Sequence, residues 1–252
     1  MHADPSLAEA ARRAWVGQRI ERLEDDALLN GRGAFADDIG VRPGTLEAAV
    51  LRSPHPHARL LRVDATKALA LPGVRAVLTG EDVKAWAQPF VVGVKQPMQH
   101  WVLAVDHVRH VGEPVAVVVA EDRYIAEDAL DLVQVEYEPL PVVLEIEQAL
   151  SEASTVLHEA VGSNVVSDRA FRYGDPESAF NAPGVRTVGT TVHYPRNTCA
   201  PMECGVVIAE HLPGDEGYDV LSNFMGPFSL HAVMAMALKV AGNKLRHRVP
   251  RD

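Results

Sequence analysis

Seven residues, Pro114 to Ala120 (PVAVVVA), constrain the fold of this chain more than any other stretch. An almost unbroken run of valine and alanine has no polar face to turn toward water, so as a strand it must be covered on both sides. Its flanks fit that reading. Asp122 is placed to cap a helix over RYIAEDALDLV, and QVEYEPLPVV returns as a strand that ends in prolines. Upstream, LEAAVLRS reads as a strand, Pro54-His55-Pro56-His57 bends it, and ARLLRVD resumes extended structure. Asp64 is placed to cap a short helix, ATKALA, which stops at Leu71-Pro72-Gly73. VRAVLT is a further strand closed by Gly80, and Asp82 leads into a helical turn around Trp86. QPFVVGVKQPMQ, broken by proline and glycine, reads as a loop, and Trp101 to Val105 as a strand. The order β-α-β-β-α-β over residues 45–143 predicts a compact α+β unit large enough to be a domain.

Four parts follow: an N-terminal arm over 1–16, a first domain over 17–143, a linker over 144–163 and a second region over 164–252. At the start of the first domain, RIERLEDDALLNGRGAFADDIG is polar and punctuated by Gly31, Gly33 and Gly40, which predicts extended chain with turns. In the second region VSDRAFRYGDPESAFN, VRTVGTTVHYP, MECGVVIAEH and YDVLS alternate strands with turns, and KLRHRV forms a last strand. Between YDVLS and KLRHRV, the turn Asn-Phe-Met-Gly-Pro-Phe leads into a helix from Ser229, which is placed to cap it. Leu230, Val233, Met234, Ala237 and Leu238 recur at the spacing of one buried helical face. Strand, glycine-proline turn and helix either form an ordinary connection or present backbone N–H groups and loop side chains to a ligand. Three or four strands and one helix close poorly by themselves, so the second region is expected to need a partner surface.

Several function classes drop out. A net charge of -10 with no basic cluster argues against nucleic-acid binding. No apolar run approaches the length of a membrane span, and the N-terminus lacks a hydrophobic signal core, so the expected location is the cytoplasm. Cys199 and Cys204, five positions apart, match neither a zinc knuckle nor a CxxC redox pair and read as buried structural cysteines. His55 and His57, two residues apart, read as a structural corner stiffened by Pro54 and Pro56; His107 and His110 take surface or satisfied polar roles. The acidic pairs Asp25-Asp26 and Asp37-Asp38 read as solvated turns. No nucleophile triad, P-loop or GxGxxG fingerprint can be placed.

GTLEAAVLRSPHPHARL and VRHVGEPVAVVVAEDRYIAEDALDLVQVEYEPLP resemble the large, molybdopterin-binding subunit of the xanthine dehydrogenase, aldehyde oxidase and carbon monoxide dehydrogenase family. The LRSPH-HAR, PGV-AVLTG-D and VGEPVA-VVAE phrases occur in that family's order and spacing. WVGQRIERLEDDALLNGRGAFADDI, APMEC and SNFMGPFSLHAVMAMALKVAGNKLRHRVPRD are similar to family segments too. The resemblance runs from about residue 15 to 252. It implies an α/β-hammerhead domain over 17–143, then the incomplete first part of a molybdopterin-binding domain over 164–252.

In that family a molybdenum ion held by a pterin dithiolene oxidises a small organic substrate with water as the oxygen source. A glutamate base far toward the C-terminus assists, and electrons leave through [2Fe-2S] clusters and usually a flavin. The implied cofactor is molybdenum-molybdopterin in its cytosine dinucleotide form, held mostly by a partner chain. The implied partners are the complementary C-terminal part of the large subunit, an iron-sulfur subunit and an FAD subunit, so activity from this chain alone is not expected. The chain stops where a glycine-rich cofactor loop should begin, which fits a split subunit or a truncated one. The resemblance places Phe224, Met225 and Gly226 against the cofactor and Pro227 and Phe228 in the substrate pocket, with no catalytic or metal-ligating residue in this chain. Met225 stands where the family commonly has Gln. Either a thioether that cannot donate a hydrogen bond tunes the site for an apolar substrate, or the correspondence is shifted by one residue. A non-catalytic assembly module is the alternative reading.

Overall fold

Strand β5 (Pro114–Ala120) is the centre of its sheet. It lies between β1 (Glu47–Arg52) and β3 (Val74–Thr79), antiparallel to both, with Val118 opposite Ala49 on one side and Val77 on the other. The structure is a computed structural model and describes residues 17–90 and 98–250. The expected arm over 1–16 and most of the loop over 88–99 lie outside the described residues.

Burial follows the pleat. Ala116 and Val118 pack with Val77, and with Ala68, Ala129 and Val133 contributed by helices α2 (Thr66–Leu69) and α4 (Arg123–Leu130) and the turn after α4. On the other face Val115 joins Ala58, Ala104 and Val108, while Val117 backs Val83, Ala87 and Leu103 around helix α3 (Gly80–Trp86). Both faces of β5 are covered, as an all-apolar strand requires. A second sheet, ordered β4-β2-β6, is built from β2 (Ala58–Asp64), β4 (His107–Val108) and β6 (Gln134–Pro139), all antiparallel.

The helix starts show how local chemistry sets these elements. Asp122 accepts the Ile125 N–H at 2.9 Å, as expected of a cap. Thr79 and Asp82 form a reciprocal capping box at the start of α3. Asp64 accepts the Thr66 N–H at 2.9 Å but sits one residue before the capping position, which Ala65 occupies.

Four expectations are corrected. Residues 25–29 are not extended but form a short helix, α1 (Asp25–Leu29), with its two aspartates in the first turn, where the helix dipole favours them. Trp101 to Val105 is not a strand. Leu103 and Ala104 are buried there as a corner of loop, and Ala104 donates to the Pro114 carbonyl at 2.8 Å. Ser229 does not cap its helix: α7 (Pro227–Ala237) starts two residues earlier, with Gly226 at the capping position and Pro227 first. Proline is pre-set for that first position because its missing N–H would be unpaired there anyway. Finally, VRTVGTTVHYP forms no strand. Every residue from Ser167 to Gly205 is exposed, and the stretch carries one short helix, α6 (Pro176–Phe180), which follows α5 (Ile146–Leu150) of the linker. Period-two alternation makes a strand only where a neighbour completes the ladder, and among the described residues none lies beside it.

Beyond that stretch, β7 (Val207–Leu212) and β8 (Gly217–Ser222) form an antiparallel pair, and β9 (Leu245–Arg248) runs parallel to β8 on its other edge. Helix α7 connects β8 to β9, giving a β-α-β unit. Of its predicted buried face only Ala237 is fully buried; Leu230, Val233, Met234 and Leu238 are half-buried. The first domain closes the helix's far end: Gln88 donates its backbone N–H to the Ala237 carbonyl at 2.9 Å and its side-chain amide to the Met236 carbonyl at 2.7 Å. Both carbonyls belong to the last turn of the helix, and that of Met236 also accepts the Lys239 N–H at 3.1 Å.

Candidate functional site

In α/β units, ligands gather at the carboxyl ends of strands, where the following helix begins. Here that place is the turn from Asn223 to Gly226, between the end of β8 and the start of α7. The turn opens on a cavity of about 640 Å³ whose lining includes Phe224, Met225, Pro227, Glu203 and, from the first domain, Leu28 and Phe35. Met225 is 96% exposed and Phe224 49%, so two large apolar side chains stand uncovered at one rim. A Cβ on Gly226 would come within 3.0 Å of the Phe224 ring, so glycine lets that ring lie close across the turn. Of the five residues expected to form the site, Phe224, Met225 and Pro227 line this cavity. Gly226 sits within the turn, and Phe228 is not part of the lining but stands 92% exposed on the first turn of α7.

Polar residues that sequence reasoning missed hold the turn in place. Asn223 accepts the Val206 N–H at 3.0 Å and donates to the Cys204 carbonyl at 2.8 Å, which fastens the turn to the segment before β7. That segment is itself anchored, because Glu203 accepts the Ala36 N–H at 2.8 Å. Arg42 and Glu210 form an ion pair nearby, again joining the first domain to the second region. His247 on β9 contacts both Ser222 and Pro227. Asn223 had a local signal, a side-chain amide directly after an apolar strand; His247 had none, because only the parallel pairing of β9 with β8 brings it there.

A second cavity, about 490 Å³, lies between the first domain and residues 155–161 and includes His57, His107, Arg109 and His158 in its lining. His57 is buried and its Nδ1–H donates to the Pro141 carbonyl at 2.7 Å, while the His55 ring rests 4.7 Å from Tyr137. The proline-histidine bend is thus a packed corner, as expected. Arg109 donates to the Leu157 carbonyl at 2.8 Å. Burial, then the charge of Arg109 and the neighbouring His100, hold the His158 imidazole below its ordinary 6.5. Between its folded value and 6.5, the unfolded chain binds a proton that the folded chain does not. Stability therefore rises with pH through that window and is lower beneath it. Denaturant titrations near pH 5 and near pH 7 are expected to show the wild type losing more stability on acidification than His158→Gln. Equal losses would remove His158 as the cause.

Cys199 and Cys204 are exposed, against the expectation of buried cysteines, because both lie in the uncovered Ser167–Gly205 stretch. Among the acidic pairs, Asp26 pairs with Arg32 and Asp38 accepts the Phe35 N–H at 3.0 Å. Among the described residues, no group of three His, Cys, Asp or Glu is arranged to hold a metal ion. Among them, too, no helix is long and apolar enough to cross a membrane.

Residues 30–141 match the model of the family described as "Aldehyde oxidase and xanthine dehydrogenase, a/b hammerhead domain", and residues 157–251 match the "Molybdopterin cofactor-binding domain". Fold and turn together are those of a hammerhead domain joined to part of a molybdopterin-binding domain. The 6-hydroxypseudooxynicotine dehydrogenase complex subunit gamma of Paenarthrobacter nicotinovorans is 38% identical over 81% of this chain and 26% of its own length. The carbon monoxide dehydrogenase large chain of Hydrogenophaga pseudoflava is 34% identical over 98% of this chain and 32% of its own. The crystal structure of quinoline 2-oxidoreductase from Pseudomonas putida 86 superimposes with a TM-score of 0.80 at 36% identity, covering 93% of this chain and 30% of that one. The chain belongs to the molybdopterin-binding subunit family of xanthine dehydrogenases, aldehyde oxidases and carbon monoxide dehydrogenases. It spans between a quarter and a third of the length of these relatives.

The residues at the turn fit a cofactor of this kind. A metal bound directly by protein would need a cluster of donor side chains, and none is arranged among the described residues. A pterin dithiolene brings the metal's sulfur ligands with it, so the protein's part is to bind and orient the organic group. The Phe224-Met225 turn presents an apolar rim on an open cavity, a surface that such an organic group can lie against.

Proposed function

We propose that this chain forms part of the large subunit of a molybdenum hydroxylase, in which the Asn223–Gly226 turn is one wall of the cofactor and substrate pocket. The observation that carries the reading is the exposed Phe224-Met225 pair at the carboxyl end of β8, opening on a cavity within the residues matched to the cofactor-binding domain. When bound, the molybdopterin cofactor, in its cytosine dinucleotide form, supplies the oxidising metal and the activation of water. This chain's residues shape and exclude. Phe224 and Met225 present apolar surface that displaces water from one side of the reacting carbon, and Gly226 keeps the turn narrow enough for close approach. Met225 offers no hydrogen-bond donor, which suits a small apolar or heteroaromatic substrate over one that needs its oxygen held.

Electrons pass to [2Fe-2S] clusters and FAD on partner subunits, and the remainder of the large subunit supplies the base and most cofactor contacts. The exposed stretch from Ser167 to Gly205 supports such a partner. It leaves Phe171, Tyr173, Val188, Val192, Tyr194 and Met202 between 77% and 101% exposed, more large apolar surface than a free-standing chain usually shows. The assembly is placed in the cytoplasm.

The test is to co-express the chain with its complementary chains and measure molybdenum, iron and flavin in the purified complex. About one molybdenum per complex is expected. A pure chain that is stable, monomeric and metal-free, and that binds no complement, sinks the proposal. Within a loaded complex, Met225→Gln adds a donor at the pocket wall and is expected to shift relative turnover between an apolar and a hydroxylated substrate by roughly tenfold. Unchanged preference in both Met225→Gln and Phe224→Ala would favour a non-catalytic assembly role.

A further inference from the structure

The turn that carries Phe224 and Met225 is held at both ends by one side chain from a third element. His247 lies on β9 opposite Val220 of β8, and the parallel ladder puts it on the same sheet face as Ser222, two residues along. Its Nδ1 lies 3.1 Å from the Pro227 carbonyl and its Nε2 2.8 Å from the Ser222 hydroxyl. A carbonyl can only accept, so Nδ1 carries the hydrogen, and in the neutral ring Nε2 accepts from the Ser222 O–H. Ser222 is 3% exposed and ends β8, whereas Pro227 begins α7. The imidazole therefore spans the mouth of the Asn223–Gly226 turn, joining the residue before it to the residue after it. The Asn223 side chain holds the turn from the other side, against Cys204 and Val206.

We infer that His247 is a positioning residue: it fixes the separation of the two ends of the turn, and so the placement of Phe224 and Met225 toward whatever occupies the cavity. Its effect on turnover rests on the reading of this turn as a wall of the molybdenum pocket; its effect on the turn does not. His247 does not itself line the cavity; it reaches the lining through the Pro227 carbonyl. It acts through Ser222 and Pro227, so its loss changes where the turn sits without changing what the turn presents. Asparagine in its place keeps a donor at the position of Nδ1 and loses the reach to Ser222, which separates the two hydrogen bonds.

The experiment compares His247→Ala, His247→Asn and Ser222→Ala in the complex of this chain with its complementary chains. Amide hydrogen exchange read by mass spectrometry follows the peptide covering residues 223–230. In His247→Ala that peptide is expected to exchange about tenfold faster, from the loss of two hydrogen bonds, while peptides from β5 stay unchanged. His247→Asn should recover a large part of the protection. In the loaded complex kcat should fall by about tenfold or more with little change in molybdenum content, because misplacement of a pocket wall costs orientation more than cofactor affinity. Unchanged exchange over 223–230 in His247→Ala overturns the inference, as does loosening spread evenly over α7, β9 and β5. If His247→Ala does not fold, Ser222→Ala reads the same peptide with one bond removed, and no change there overturns it equally. If the wild-type complex holds no molybdenum, the pocket reading fails, and the exchange result still decides whether His247 positions the turn.

Discussion

Val118→Asp is expected to abolish cooperative folding of the first domain. Val118 is 0% exposed at the middle of β5, packed against Val77, Ala129 and Val133. An aspartate there would bury a carboxylate with no cation beside it, and an uncompensated buried charge costs about 3–5 kcal/mol. That is a large share of the roughly 5–15 kcal/mol by which folded domains are stable. Thermal melts should show a broad or absent transition, with the protein in the insoluble fraction. Val188→Asp provides the contrast. Val188 has the same side chain but is 90% exposed, so its substitution is expected to change stability by no more than about 0.5 kcal/mol. A Val118→Asp protein with a sharp transition near that of the wild type would show that β5 is not the core strand.

Gly80→Ala should lower stability, although the same change at an exposed helix position usually raises it. Gly80 is the first residue of α3, and alanine is the better helix former by about 1 kcal/mol. Here a Cβ would stand 2.1 Å from the Ala104 carbonyl oxygen, 2.8 Å from its carbon and 2.9 Å from the Val105 Cα. All three are backbone atoms, and Ala104 is itself held by its hydrogen bond to Pro114. This loop corner cannot withdraw without pulling on β5. Forcing such an overlap costs about 1–3 kcal/mol and often more, which at about 2–4 °C per kcal/mol is a drop of several degrees in Tm. A Tm equal to or above the wild type's would mean that residues 103–105 yield freely.

These two positions also mark where the sequence was legible. The unbroken valines of β5 left one arrangement open, and the ends of β2 fell at Ala58 and Asp64 as the prolines and the turn residue predict. Trp101 to Val105 misled because an apolar run reports burial, and burial in a loop corner looks the same as burial in a strand. VRTVGTTVHYP misled for the opposite reason: alternation reports a face, but whether a neighbour covers that face is decided elsewhere in space. The start of α7 was readable from Gly226-Pro227, since proline is enriched at the first helical position and glycine is tolerated at the cap before it. The resemblance pointed to the apolar turn at Phe224 and Met225, and that turn stands at a cavity. Its fastening was not found, because Ser222, Pro227 and His247 are separated along the chain and meet only when β9 pairs with β8.

The place of β5 between β1 and β3 has a consequence for how the chain is made. Glu47–Arg52 leaves the ribosome first, yet its ladder partner is Pro114–Ala120, and β3 waits for the same strand. At about 5–20 residues per second, roughly 70 residues of synthesis separate the two, which is a delay of several seconds. During that delay the nascent chain carries β1, β2 and β3 without their ladder partners. Emergence of PVAVVVA then lets β1 and β3 pair at once, so this sheet assembles in one late step, and the second sheet is completed only when β6 follows. A ribosome stalled before residue 120 should therefore hold a protease-sensitive chain, and one stalled well after Pro139 a resistant one.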